Sequence, residues 1–156
     1  MKLNFTINLD PPAGGASNPP SHASAGKPLR RASEAYISAV MKDGTLYAGL
    51  SPHTGKPMYT TAYDAPFTYT FDEAKKYAKA LNRQKAHGNR DWRVPTMSEL
   101  NVLFNNRAAI GSFKAKWYWS NTPGLFKWYA CGRRFLAGDR SDIIAKGDHL
   151  RLRCVR

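Results

Sequence analysis

Thr96-Met97-Ser98-Glu99 is the stretch that most restricts how this chain can fold. A threonine followed three residues later by glutamate lets the hydroxyl accept from a helix amide that has no partner within the helix. The glutamate reaches back to the threonine amide and closes the box. Pro95 keeps Val94 extended, so the chain passes from a strand-like segment directly into a helix. Asp91-Trp92-Arg93 then sits where a helical layer meets a sheet, and Trp92, Thr96 and Glu99 read as structural residues. Thr70-Phe71-Asp72-Glu73 repeats the box and opens a helix expected to run to about Lys85. Its apolar stripe is Ala74, Tyr77, Ala78 and Leu81, with Lys75, Lys76, Lys79 and Arg83 toward solvent. His87-Gly88-Asn89 suits a left-handed stop. The helix from Thr96 carries Leu100, Leu103 and Phe104 inward to about Asn106, and residues 108–113 read as a connector.

The other segments are short and extended. Residues 3–9 alternate with Leu3, Phe5, Ile7 and Leu9 on one face, as one strand. Residues 10–32 are rich in Pro, Gly, Ala and Ser and too poor in large apolar side chains to bury, which is the composition of a linker. The domain proper is then residues 33–156. Tyr36–Val40 and Thr45–Gly49 flank Lys42-Asp43-Gly44 and predict a hairpin, Asp-Gly being a tight-turn signal. Residues 51–66, broken by Pro52, Gly55, Pro57 and Pro66, read as loop. Trp117–Ser120, Lys127–Phe135 and His149–Val155 are candidate strands, with turns at Gly138-Asp139-Arg140 and Lys146-Gly147-Asp148. The last alternates Leu150, Leu152 and Cys154 against Arg151, Arg153 and Val155.

The formal charge is +13, from 24 basic and 11 acidic residues. A field of that size attracts nucleic acid, acidic glycans, anionic headgroups or an acidic protein, and does not choose among them. Met1–Asp10 has no apolar h-region and no stretch is long enough to span a membrane. The expectation is a chain made in the cytoplasm, reaching any surface in a phage particle or by a non-classical export route. Cys131 and Cys154 are compatible with two buried thiols or with one disulfide between neighbouring strands. His22, His53, His87 and His149 are too scattered for a zinc set. No GxSxG, P-loop, GxGxxG or HExxH occurs, and Asp139–Asp142 is too short for a calcium loop. Asp64, Asp91, Asp139, Asp142 and Asp148 remain as acid–base candidates, and a Cys131 nucleophile with His149 as base is conceivable from residue types, but both lie on strands where a disulfide or core role is the expectation. No cofactor and no catalytic residue is therefore expected.

Residues 117–140 are different. Trp117, Tyr118, Trp119, Trp128, Tyr129, Arg133, Arg134, Phe135 and Arg140 crowd together, and on strands alternate members face opposite sides. The expected ligand-binding set is Trp117, Tyr118, Trp119, Asn121, Trp128, Arg133, Arg134 and Arg140. The aromatics would offer stacking area and the guanidiniums fork-shaped donors to carboxylate, sulfate or phosphate.

Asp91-Trp92-Arg93-Val94-Pro95-Thr96, Glu99-Leu100, Trp117-Tyr118-Trp119-Ser120 and the closing Leu152-Arg153-Cys154-Val155-Arg156 resemble the DUF1566 (Lcl C-terminal-like) domains over about residues 33–156. Those domains are similar in fold to formylglycine-generating enzymes and to the variable proteins of diversity-generating retroelements. The resemblance implies an α+β, C-type-lectin-like fold, with two helices packed on small twisted antiparallel sheets, beside the N-terminal strand and linker. It also implies ligand display rather than catalysis, in a bacterial or phage setting. Neither the cysteine pair of the sulfatase-activating relatives nor the Glu-Pro-Asn and Trp-Asn-Asp signatures of calcium-dependent lectins occurs. The resulting expectation is a non-enzymatic recognition domain for a protein or acidic glycan. The rivals are a basic nucleic-acid-binding protein, an enzyme related to the formylglycine-generating type using Cys131 or Cys154, and an assembly module in which residues 1–9 add a strand to a neighbouring copy.

Overall fold

The computed structural model describes residues 36–156. The strand expected at residues 3–9, the linker at 10–32 and any oligomer contact made through residues 1–9 lie outside the described residues. The described chain is α+β. In order it runs β1 (Leu46–Leu50), β2 (Pro57–Thr60), α1 (Phe71–Arg83), a 3-10 turn (Ala86–Gly88), α2 (Met97–Asn105), α3 (Arg107–Ile110), β3 (Trp117–Pro123), β4 (Tyr129–Arg134) and β5 (Arg140–Ala145). One antiparallel sheet is β1-β2 and the other is β3-β4-β5.

Both helices start as their sequences dictate. Thr70 and Thr96 each accept from the amide three residues on, and Glu73 and Glu99 each close the box. Helix α1 stops at Arg83 rather than Lys85, because Lys85 already takes a left-handed backbone at φ 49°. The connector after α2 is itself a helical turn, α3, capped by the same Asn106 that ends α2.

The strands depart further from expectation. Tyr36–Val40 forms turns and a single bridge from Val40 to Leu46, so the strong partner of β1 is β2, inside the stretch read as loop. Proline at Pro57 is tolerated because it opens an edge strand, where no ladder amide is needed. The β1-β2 register shifts between Tyr47 and Gly49, and Gly49 sits at φ 117°, a conformation that side chains rarely adopt. Arg140–Ala145, placed between two turns in the sequence, is the full strand β5.

The final stretch is not a strand of either sheet. It makes isolated bridges to Tyr69, Tyr118, Thr60 and Arg93, and so stitches four separate segments together. Its expected alternation fails, since Leu152, Arg153, Cys154 and Val155 are all buried.

Two apolar clusters lie on the two sides of the three-stranded sheet. Tyr118, Cys131 and Phe135 pack with Met97, Leu100 and Leu103 of α2, together with Leu46 and Met58. Trp119 and Ala130 pack with Phe71, Ala74 and Ala78 of α1, together with Trp92, Val94 and Leu152. Trp92 is 2% exposed and its indole N–H donates to the Ala86 carbonyl at 2.9 Å, so the aromatic pin beside the helix start is internal.

Two ionic knots are sealed into this frame. Glu99 is held by a bidentate Arg93 and by the Ser51 hydroxyl at 2.5 Å. Burial works to raise the Glu99 carboxyl, but the Arg93, Ser51 and Thr96 hydrogen bonds outweigh it and hold the group at about 2. Arg153, fully buried, donates from Nε to Asp64 at 2.8 Å and from Nη1 to the Thr61 carbonyl at 2.8 Å. The Tyr118 hydroxyl donates to the other Asp64 oxygen at 2.5 Å. Burial first, and that bond second, push the phenol well above its ordinary range.

Candidate functional site

The structure divides the expected ligand-binding set. Tyr118 and Trp119 are each 0% exposed and belong to the core, which corrects their assignment to a display surface. Alternation predicts that one of them faces water, but α1 and α2 cover opposite faces of the sheet. The Trp119 indole donates to the Tyr69 carbonyl at 2.6 Å and stacks edge-on against Phe71. Trp117 is half-buried at the start of β3, beside a cleft shared with Thr68, Lys116, His149 and Arg151. Asn121 is exposed, with its amide donating to the Pro95 carbonyl at 2.7 Å.

What remains at the surface falls at the two ends of β4. At its start, Leu125, Phe126 and Trp128 in the β3–β4 loop are 64%, 61% and 72% exposed. The loop is not slack. The Leu125 amide donates to the Asp142 carbonyl at 2.9 Å, the Lys146 amide to the Trp128 carbonyl at 3.0 Å, and the Lys146 ammonium to the Lys127 carbonyl at 2.6 Å. The Lys127 ammonium stands 5.2 Å from the Trp128 ring centre. Three large apolar side chains are thus held largely in water by a bonded loop, with only Phe126 packing edge-on against another ring, that of Tyr129.

At the other end of β4 lies a cationic cluster. Arg133 pairs directly with Arg140 across β4 and β5, so the two side chains share a face. Phe104 of α2 takes two guanidiniums, Arg133 at 4.0 Å and Arg107 at 3.9 Å from its ring centre. Arg133 Nη1 also donates to the Asn101 side-chain oxygen, while its buried Nε finds no acceptor among the described residues. No carboxylate among the described residues pairs with Arg107, Arg133 or Arg140; the neighbouring Arg134 is the one with a partner, Asp139 at 3.8 Å. Burial first, then the Arg140 and Arg107 charges, lower the Arg133 guanidinium below its ordinary value. Like charges opposed on a sheet repel.

Arg107 was not legible as a member of this cluster. Its spacing from Phe104 is the only local hint, and Arg133 reaches Phe104 through the tertiary fold alone. The cluster borders a cavity of about 220 Å³ lined by Met97, Cys131, Arg140, Ser141 and Asp142.

Both cysteines are free and buried, so the disulfide alternative is corrected: each thiol sits in a different apolar cluster. Burial pushes the Cys154 thiol to about 12. Cys131 is also raised, by burial and then by Asp142, and its thiol donates to the Pro123 carbonyl at 3.0 Å. His149 lines a different cleft from Cys131. Among the described residues no group of three or more His, Cys, Asp or Glu converges as a metal set would.

The family model described as the Lcl C-terminal domain matches residues 41–156. No curated protein matches the chain significantly.

Proposed function

This chain belongs to the Lcl C-terminal domain family over residues 41–156, and from that premise we propose that it is a non-enzymatic recognition domain, of bacterial or phage origin, for a protein or acidic glycan. The observation that carries the reading is the Arg107–Phe104–Arg133 stack with Arg140 opposite, three cations without an acid partner among the described residues. The exposed Leu125, Phe126 and Trp128 supply apolar anchors at the other end of the same strand. Fork-shaped donors orient an acidic group and aromatics contribute most of the contact energy, the usual division at a binding surface. The lectin-like reading agrees with this division, since it assigns the work to strands and loops of the C-terminal half.

The test is binding to arrays of acidic glycans and proteins, with Trp128→Ala and the pair Arg107→Gln plus Arg140→Gln. Each should lose roughly tenfold or more in affinity; the unfolding midpoint should stay put in Trp128→Ala, whose side chain is exposed, while the double variant also gives up the Arg107 bond to the Phe104 carbonyl. Unchanged binding in both variants sinks the assignment. An oligonucleotide that displaces every other ligand, with affinity falling steeply with salt, would transfer it to nucleic acid.

A further inference from the structure

A second cavity lies away from β4, between α1 and the segment before α2. It measures about 220 Å³ and is lined by Lys75, Ala78, Lys79, Trp92, Arg93, Val94 and Asn121. The sequence dictates this lining. Lys75 and Lys79 stand one helical turn apart on α1, beside Ala78, where a small side chain leaves room. Trp92 and Val94 belong to the extended run held by Pro95, and Asn121 is brought over it by its amide bond to the Pro95 carbonyl.

The polar inventory is one-sided, with three cations, one carboxamide and no carboxylate in the lining. Two of the cations are already matched: Lys75 lies 3.2 Å from Asp72 and also over the Phe71 ring, and Arg93 is bidentate with Glu99. Lys79 forms no ion pair with any described residue, and the Asn121 carboxamide makes no side-chain hydrogen bond with any of them. One unmatched positive charge, a free amide and an apolar floor of Trp92, Val94 and Ala78 define the complement.

From these groups we infer that the cavity binds a small organic monocarboxylate. Its carboxylate lies between Lys79 and Asn121, and its short apolar body rests on Trp92 and Val94. The single excess charge selects a monoanion over a dianion such as phosphate. The volume admits roughly seven non-hydrogen atoms at the ~30 Å³ that each water occupies in the liquid. This site shares no residue with the Arg107–Arg133–Arg140 cluster or the 125–128 loop, so it stands or falls apart from the recognition reading.

The test is an amide-correlation NMR titration of the full chain with butyrate, the neutral isostere butyramide and inorganic phosphate. Butyrate should give saturable shifts at the Trp92 indole, the Asn121 carboxamide and the Lys79 amide, with butyramide and phosphate far weaker. Lys79→Gln should weaken butyrate about fivefold, one charge-assisted bond at a partly solvated site. Lys79 is exposed, so Lys79→Gln should fold as the unaltered chain does. Lys56→Gln, which removes one exposed charge outside this lining, should titrate as the unaltered chain does. Equal response to butyramide, tighter binding of phosphate, unsaturable scattered shifts or an indifferent Lys79→Gln overturns the site. A chain that binds butyrate here yet no glycan or protein keeps this inference and loses the recognition reading; the converse loses only this one.

Discussion

Glu99 holds more of the molecule than its place in a capping box suggests. Its carboxylate caps α2 through the Thr96 amide, takes both Arg93 nitrogens and accepts from Ser51, so it joins a helix end, an extended segment and the end of β1. Its carboxyl lies at about 2 when folded against an ordinary 4.5. A depressed acid contributes stability that is fully present above the unfolded value and lost as pH falls toward the folded one. The expected loss is on the order of 3 kcal/mol between pH 4.5 and about 2. Glu99→Gln can still close the box but leaves Arg93 without its anion. Urea unfolding at pH 7 should show a cost of about 3 kcal/mol, the low end for a broken buried pair because Arg93 is partly solvated. The variant should also lose the Glu99 share of the acid dependence over that window and keep the share that Asp43 contributes; if its pH profile matched the unaltered chain, another acid would hold the knot. The box was plain in the sequence because both partners lie within one helical turn. Ser51 and Arg93 as partners were not, since Ser51 is 48 residues distant and nothing local marks it. For the same reason Arg153 read as an exposed member of an alternating strand, when Asp64 draws it fully inside.

Elements with local chemistry could be read, and elements defined by their partners could not. Both long helices began where their Thr-x-x-Glu boxes said, because capping is settled within one turn. Strand β2 was hidden by Pro57 and Gly55, whose turn chemistry outweighs four residues of strand, and only pairing with β1 reveals it. The β1-β2 pair also carries a conformational requirement that can be tested. Gly49 combines φ 117° with a tight neighbour, since an added Cβ would lie 3.1 Å from Val102 Cγ1 and 3.3 Å from Asn106 Nδ2 on α2. Gly55, at φ 68°, has open space around it. Gly55→Ala should therefore cost about 1 kcal/mol for backbone strain alone. Gly49→Ala should cost more, about 2–3 kcal/mol, because it also presses on the contact that seats α2 against β1. Unfolding midpoints of the two variants make the comparison; equal losses would mean that α2 yields freely and is not braced by β1.

At the scale of the whole molecule, the candidate site was half legible because composition locates aromatics and arginines but not the layers that cover them. Trp128 and Arg140 stayed outside, while Tyr118 and Trp119 went into the core between α1 and α2. What sets those layers is the closing segment, which belongs to no sheet and touches nearly everything. Val155 exchanges backbone bonds with Arg93 at 2.8 and 3.0 Å, and Arg156 exchanges two with Tyr59 at 3.0 Å. The Arg156 guanidinium reaches Asp43 at 2.7 Å, and Val155 itself is fully buried. Asp43 in turn accepts from Thr45 and Asn89, which outweigh the slight burial acting to raise it and hold it at about 2, so the first turn, the 3-10 turn and the last residue close on one carboxylate. Deleting Val155 and Arg156 removes those backbone bonds, at about 1 kcal/mol each, and a buried valine worth roughly 2. The combined loss rivals the 5–15 kcal/mol that separates a typical domain from its unfolded state. The shortened chain should therefore show no cooperative thermal transition. Val155→Ala in the full-length chain should keep one, destabilised by about 2 kcal/mol. Retained cooperativity after the deletion would show that the two helical layers hold together through the three-stranded sheet alone, and the closing segment would be ornament rather than the fastening of the fold.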